Sequence, residues 1–216
     1  PQHWYLATAG HVLKQIDQAL DKGVEPHSFW LSDHGPKFQN PVPFDYINAA
    51  RTSLDEKGQD YGLILLNQLY VDNLRMNNVV PLTINEVAHE GAFDAYCILG
   101  SPSCWNVATE YSTGIKIETS PVMLAADRID VPKELESKNP RMAFRIASGA
   151  MNDSGESLQD IDGLSGGPVF GFKRTDDGRL KYWLVGVQSS WNSKNIALVC
   201  PALPLKLILA IDGALE

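Results

Sequence analysis

The chain has 216 residues, 44% of them hydrophobic and 20% charged, with a formal net charge of −8. That composition suits an ordinary globular protein with a sizeable core and excludes the disordered and fibrous classes. The acidic balance, without a basic run interleaved with aromatics, argues against nucleic-acid binding; no apolar run approaches the roughly 20 residues that cross a bilayer, and the start of the chain lacks a signal-peptide layout.

Taken in order, Trp4 to Thr8 reads as a short strand ending in Ala9-Gly10. His11 then opens a segment whose apolar residues Val12, Leu13, Ile16, Ala19 and Leu20 recur at helical spacing, and Gly23 and Pro26 end it. Residues 29–31 and 42–47 read as strands around a Pro/Gly/Asn-rich loop, and 51–59 as a polar connection. Asp60-Tyr61-Gly62-Leu63-Ile64-Leu65-Leu66 sets a carboxylate directly before a continuous apolar run, as at the mouth of a buried strand. A polar loop leads to Val79-Val80-Pro81-Leu82, a linker that divides the chain into residues 1–80 and 81–216.

In the second half, residues 93–99, 111–118, 141–146, 168–172, 182–188 and 196–199 read as short strands punctuated by Gly, Pro, Ser and Asp. Asp177-Gly178 between two apolar runs marks a hairpin. Residues 203–211 form the closing helix, while Met123 to Arg128 and the five tryptophans read as packing. The three cysteines, Cys97, Cys104 and Cys200, cannot all pair in one chain and lack metal-site spacing, so they read as free thiols of a reducing compartment, the cytoplasm. A Cys97 to Cys104 bridge is the alternative.

Chemistry concentrates at Gly163-Leu164-Ser165-Gly166-Gly167-Pro168, where a lone hydroxyl sits among small residues that let backbone N–H groups approach whatever it attacks. A plain Ser/Gly/Pro turn is the bland alternative. The Gly-x-Ser-x-Gly spacing also suits an α/β-hydrolase, but that fold needs a helix after the serine and the histidine last. Here a strand follows, and all five histidines (3, 11, 27, 34 and 89) precede Ser165. A subtilisin-type order fails because no Asp or Glu precedes His11, which leaves His, Asp, Ser. Asp33, Asp45 and Asp55 rival Asp60 by position, but only Asp60 leads into an apolar strand.

Thr8-Ala9-Gly10-His11, Asp60 to Leu66 and Gly163 to Pro168 resemble, in order and rough spacing, the three signature segments of the trypsin-like (chymotrypsin-fold) serine proteases, and 79–82 resembles that family's inter-barrel linker. The resemblance implies a mainly β fold of two antiparallel six-stranded β-barrels with a C-terminal helix. The first barrel, residues 1–80, would carry His and Asp, and the second, residues 81–216, would carry the nucleophile. Ten residues precede His11, fewer than the family has, so the first barrel is expected to be incomplete at its N-terminus.

The resemblance implies His11, Asp60 and Ser165 as catalytic residues, and the N–H groups of Gly163 and Ser165 as the oxyanion hole. It implies a substrate-binding set of Gln159, where basic-specific members keep an acid, and Ser190-Trp191-Asn192, which resembles the family's Ser-Trp-Gly segment. Asp160 and Asp162 stand near Gln159, so a one-residue shift would restore a negative pocket; a small or polar substrate side chain is otherwise favoured. Leu164 replaces the Asp that pairs with a newly cut N-terminus in activated members, so activation by that ion pair is not expected. The partner implied is a polypeptide substrate, with further domains of a larger chain as an open possibility; no cofactor, metal, nucleic acid or membrane is expected. A catalytically silent peptide-binding module and an esterase or acyltransferase are the competing functions.

Overall fold

In the computed structural model, which describes residues 3–24, 29–31, 42–88, 91–111, 114–118, 121–147, 158, 160–192 and 195–214, strand β1 (Trp4–Thr8) runs directly into helix α1 (Gly10–Asp21). A short hairpin follows, β2 (Phe29–Leu31) with β3 (Val42–Phe44), and then β4 (Arg51–Glu56) and β5 (Gln59–Leu66), paired through a turn at Gly58. The stretch 51–59, expected as a connection, is largely strand. β4 is an edge strand with mostly exposed side chains, so ladder hydrogen bonds define it and no apolar alternation marks it.

Helix α2 (Gln68–Met76), also unanticipated, starts where the Asn67 side chain accepts the Tyr70 N–H, and it buries Tyr70, Val71 and Leu74. Among the described residues the first half is therefore a three-stranded antiparallel sheet in the order β1-β5-β4, with the β2–β3 pair separate. This corrects the six-stranded barrel expected there. Leu13 of α1 and Tyr70, Val71 and Leu74 of α2 pack with Trp4, Ile64 and Leu66 of the sheet, so helices supply the apolar cover that further strands would give a barrel.

The second half closes as expected. After β6 (Ala95–Gly100), the predicted strand 111–118 proves to be a two-stranded hairpin, β7 (Val107–Tyr111) with β8 (Gly114–Glu118). Then come β9 (Val122–Ile129), β10 (Met142–Ile146), β11 (Pro168–Arg174), β12 (Leu180–Asn192), β13 (Ile196–Pro201) and the C-terminal helix α3 (Leu203–Ala214). Six strands form a closed antiparallel barrel in the order β10-β13-β12-β11-β6-β9. The Met123 to Arg128 stretch is part of β9, whose Leu124 and Ala126 alternate into the barrel core with Ile98, Phe144, Val169, Ala197 and Val199.

A third apolar cluster joins sheet to barrel: Ala9 and Tyr61 from the first half pack with Val87, Leu184, Val187, Cys200, Ala202 and Leu205 from the second. The Tyr61 hydroxyl crosses the seam to donate to the Pro201 carbonyl at 2.7 Å. Among the described residues, no helix is long and apolar enough to cross a membrane. All three cysteines are free thiols, Cys97 and Cys200 buried and Cys104 exposed, so the alternative bridge is absent.

Candidate active site

His11 owes its place to the residue before it. A Cβ on Gly10 would drive into the Leu54 carbonyl oxygen and lie 2.9 Å from that of Tyr61, so only glycine lets the start of α1 press against β4 and β5. The helix begins after Ala9, which has no side chain to cap it. Asp60, at the start of β5, supplies the missing acceptor: its Oδ1 takes the His11 backbone N–H at 2.9 Å, an anion at a helix N-terminus. The same carboxylate accepts from the imidazole, Nδ1 to Oδ2 at 2.6 Å. A neutral imidazole that donates Nδ1–H to Asp60 carries its lone pair on Nε2.

Asp60 is only 3% exposed, and burying a carboxylate is costly unless donors surround it. The third donor comes from the barrel, where the Ser189 hydroxyl bonds Asp60 Oδ2 at 2.6 Å. The β12–β13 ladder pairs Gln188 with Val199 and Ser190 with Leu198, so Ser189 is the extra residue of a β-bulge. A bulge turns a side chain off the regular alternation, and this one aims Ser189 across the seam at Asp60.

Ser165 approaches from the same side. Gly163 and Gly166 hold φ of +91° and +88°, a backbone region that suits glycine. A Cβ on Gly163 would run into Ser103, and one on Gly166 into Thr8 Oγ1 and within 3.0 Å of the Ala9 nitrogen. The serine loop therefore lies directly against the Thr8-Ala9 segment that leads to His11. Leu164, fully buried in the barrel core, anchors the loop from beneath. Main-chain bonds from Gly166 N–H to the Gln188 carbonyl (2.8 Å) and from Gln188 N–H to the Gly167 carbonyl (2.9 Å) strap it to β12. Among the described residues, the N–H groups of Gly163 and Ser165 donate to no main-chain acceptor.

Asp60, His11, Ser189 and Ser165 thus meet at the seam, with Ser189 holding two of them: its hydroxyl binds Asp60, and its carbonyl accepts the Ser165 hydroxyl at 3.4 Å. The Ser165 hydroxyl is directed to that carbonyl and not to His11. Ser190, Trp191 and Asn192 end β12 opposite Leu198, Ala197 and Ile196, and the Trp191 indole N–H donates to Asp162 at 2.8 Å, joining the strand to the serine loop. Gln159 lies outside the described residues, as do Asp33, His27, His34 and His89. The other rivals stand elsewhere: Asp45 caps Asn48, Asp55 pairs with Lys14, and His3 pairs with Asp212. Ser189 was missed by sequence reasoning, which favoured Ser190; the signal was the Gln-Ser-Ser doublet, but only the bulge decides which serine turns inward. Among the described residues, no three His, Cys, Asp or Glu side chains gather to hold a metal ion.

No family model matches the chain, and no curated protein matches it. Among solved structures, the chain is similar to the crystal structure of Rv3671c protease in its inactive form, at 17% identity over 95% of this chain and 77% of that one, with a TM-score of 0.42. A likeness of that size decides neither fold nor chemistry.

Proposed function

We propose that the chain is a serine endopeptidase in which Ser165 is the nucleophile, His11 the general base and Asp60 the residue that orients the imidazole. The observation that carries this reading is the convergence at Asp60: the His11 ring from one half and the Ser189 hydroxyl from the other both bond its Oδ2 at 2.6 Å, beside the loop that bears Ser165. The roles follow the general Ser-His-Asp template. Ser165 Oγ attacks the peptide carbonyl carbon as His11 Nε2 takes its proton; the tetrahedral intermediate expels the amine, which receives that proton. Water, deprotonated by His11, then splits the acyl ester and restores the Ser165 hydroxyl. The Gly163 and Ser165 N–H groups face the developing oxyanion, a contribution of about 2.7–4 kcal/mol per donor in comparable sites.

For substrate, β12 offers an edge. β11 pairs with β12 only as far as Val187, so among the described residues Ser190 and Trp191 carry a paired strand on the β13 side alone. An extended peptide added there would run past Ser165. The free thiols support a reducing compartment.

The Ser165 hydroxyl bonding the Ser189 carbonyl favours one second reading, a silent module that grips peptide without cutting it. Hydrogen bonds to a catalytic base commonly tighten only once substrate is bound. Turnover of a peptide library, set beside turnover of simple esters, separates the possibilities. Peptide hydrolysis that disappears in Ser165→Ala is the expected result. Ester turnover alone would reassign the site to an esterase or acyltransferase, and peptide binding without turnover would establish the silent module.

A further inference from the structure

The carboxamide of Gln188 is a buried polar group beside Ser165 that the chemistry above leaves without a task. Gln188 is fully buried, and among the described residues neither Oε1 nor Nε2 has a hydrogen-bond partner. An unpaired buried amide is costly, and an apolar residue would serve a barrel wall better, so the geometry calls for a partner that the described residues do not supply.

The ladder tells where the amide points. Gln188 stands opposite Val199 and Trp191 opposite Ala197, and both partners belong to the barrel-interior cluster. Directly paired residues share a face. Residues three apart on a regular strand face opposite ways, but the bulge at Ser189 restores the parity, so Gln188 and Trp191 project to the same inner side. The serine loop runs beside this strand: Ile161 and Leu164 belong to the same cluster, and the loop bonds the Gln188 main chain through Gly166 and Gly167. Trp191, only partly buried, is the next residue on that face toward the strand's end, and one hydrogen bond to Asp162 holds its indole.

We propose that Gln188 determines specificity: its amide receives the side chain of the substrate residue whose carbonyl Ser165 attacks, and that side chain is a carboxamide, glutamine or asparagine. The inference rests on the peptidase reading. It follows from complementarity, because the Gln188 amide offers both a donor and an acceptor beside the apolar residues of that cluster. A substrate carboxamide satisfies both through reciprocal hydrogen bonds. A carboxylate leaves Oε1 unpaired, an ammonium or guanidinium leaves Nε2 unpaired, and an apolar side chain leaves both.

Cleavage-site profiling on a peptide library, with the wild type and Gln188→Met, tests this; Met keeps the unbranched shape and removes the amide. The wild type should cut after Gln or Asn at least about tenfold better than after Leu, and Gln188→Met should abolish that preference, since sites built to hydrogen-bond a side chain discriminate strongly against those that cannot. Gln188→Met should also melt at a higher temperature than the wild type, an unpaired buried amide having been removed. A lower melting temperature would show that the amide has a partner within the chain and would overturn the proposal. Wild-type reaction with a fluorophosphonate separates the two levels. A labelled chain whose profile ignores amide side chains, or keeps its preference in Gln188→Met, overturns the role of Gln188 alone; a folded wild type that takes no label overturns the peptidase reading and this inference with it.

Discussion

Ser189 gives the site its sharpest single-residue test. Its hydroxyl is one of three donors on a carboxylate that is 3% exposed, and hydrogen bonds to charged groups are worth about 1.5–3 kcal/mol. Ser189→Ala should slow fluorophosphonate labelling of Ser165 by about 10- to 100-fold at an unchanged circular-dichroism spectrum, because the imidazole loses part of its anchorage. An unchanged rate would show that Ser189 is packing. Leu164 tests the loop from below. Leu164→Asp sets a carboxylate, without a partner, in a fully buried position of the barrel core and should cost about 3–5 kcal/mol in urea unfolding, whereas Leu164→Met should cost less than about 1.5 kcal/mol. His11, Asp60 and Ser165 could be picked out because each stands in a local context of its own: after Thr-Ala-Gly, before an apolar strand, and between glycines. Ser189 and Gln188 have no such context; their directions depend on which way a strand turns.

At the scale of elements, the decisive feature is the bulge in β12, which sends Ser189 to the seam and leaves Gln188 and Trp191 facing inward. No residue pattern announces it, because an extra residue shifts pairing without altering composition. The same limit hid β4, an exposed edge strand, and α2, whose nine residues rest on tertiary packing of Tyr70, Val71 and Leu74. Strands with continuous apolar runs, β5 and β13 among them, were legible because both faces are buried. The contact between the serine loop and the end of β1 can be tested directly. Gly166→Ala combines left-handed backbone strain at φ +88° with a clash against Thr8 and should destabilise the chain by at least about 1–2 kcal/mol while slowing labelling. Thr8→Ala in the same chain should recover only part of that loss, since it relieves the clash and leaves the strain; full recovery in thermal melts would refute the strain.

Across the whole molecule, a three-stranded sheet with helices and a closed barrel meet along a seam that Tyr61 and Cys200 help to fill. Helix α1 could be read from its spacing, but α2 and the three-stranded sheet that the helices cover could not, because the apolar residues there suit a barrel wall equally well. Burial pushes the Cys97 and Cys200 thiols above their ordinary value of 9.0, and the Tyr61 hydroxyl above its ordinary 10.0. A raised folded-state pKa contributes stability that is present below the unfolded value and lost as pH rises through the folded one. Urea midpoints should therefore fall from about pH 9 upward, and a flat alkaline limb would contradict the burial of these groups. The exposed Cys104 should react with an aromatic disulfide reagent in the native protein, with Cys97 and Cys200 reacting only on unfolding. The proposed function requires that the seam assemble a working nucleophile at Ser165. Mass spectrometry of the folded chain after fluorophosphonate treatment tests this: a single adduct mapped to Ser165 and absent in Ser165→Ala is expected, and an unmodified Ser165 in a chain shown to be folded would contradict it.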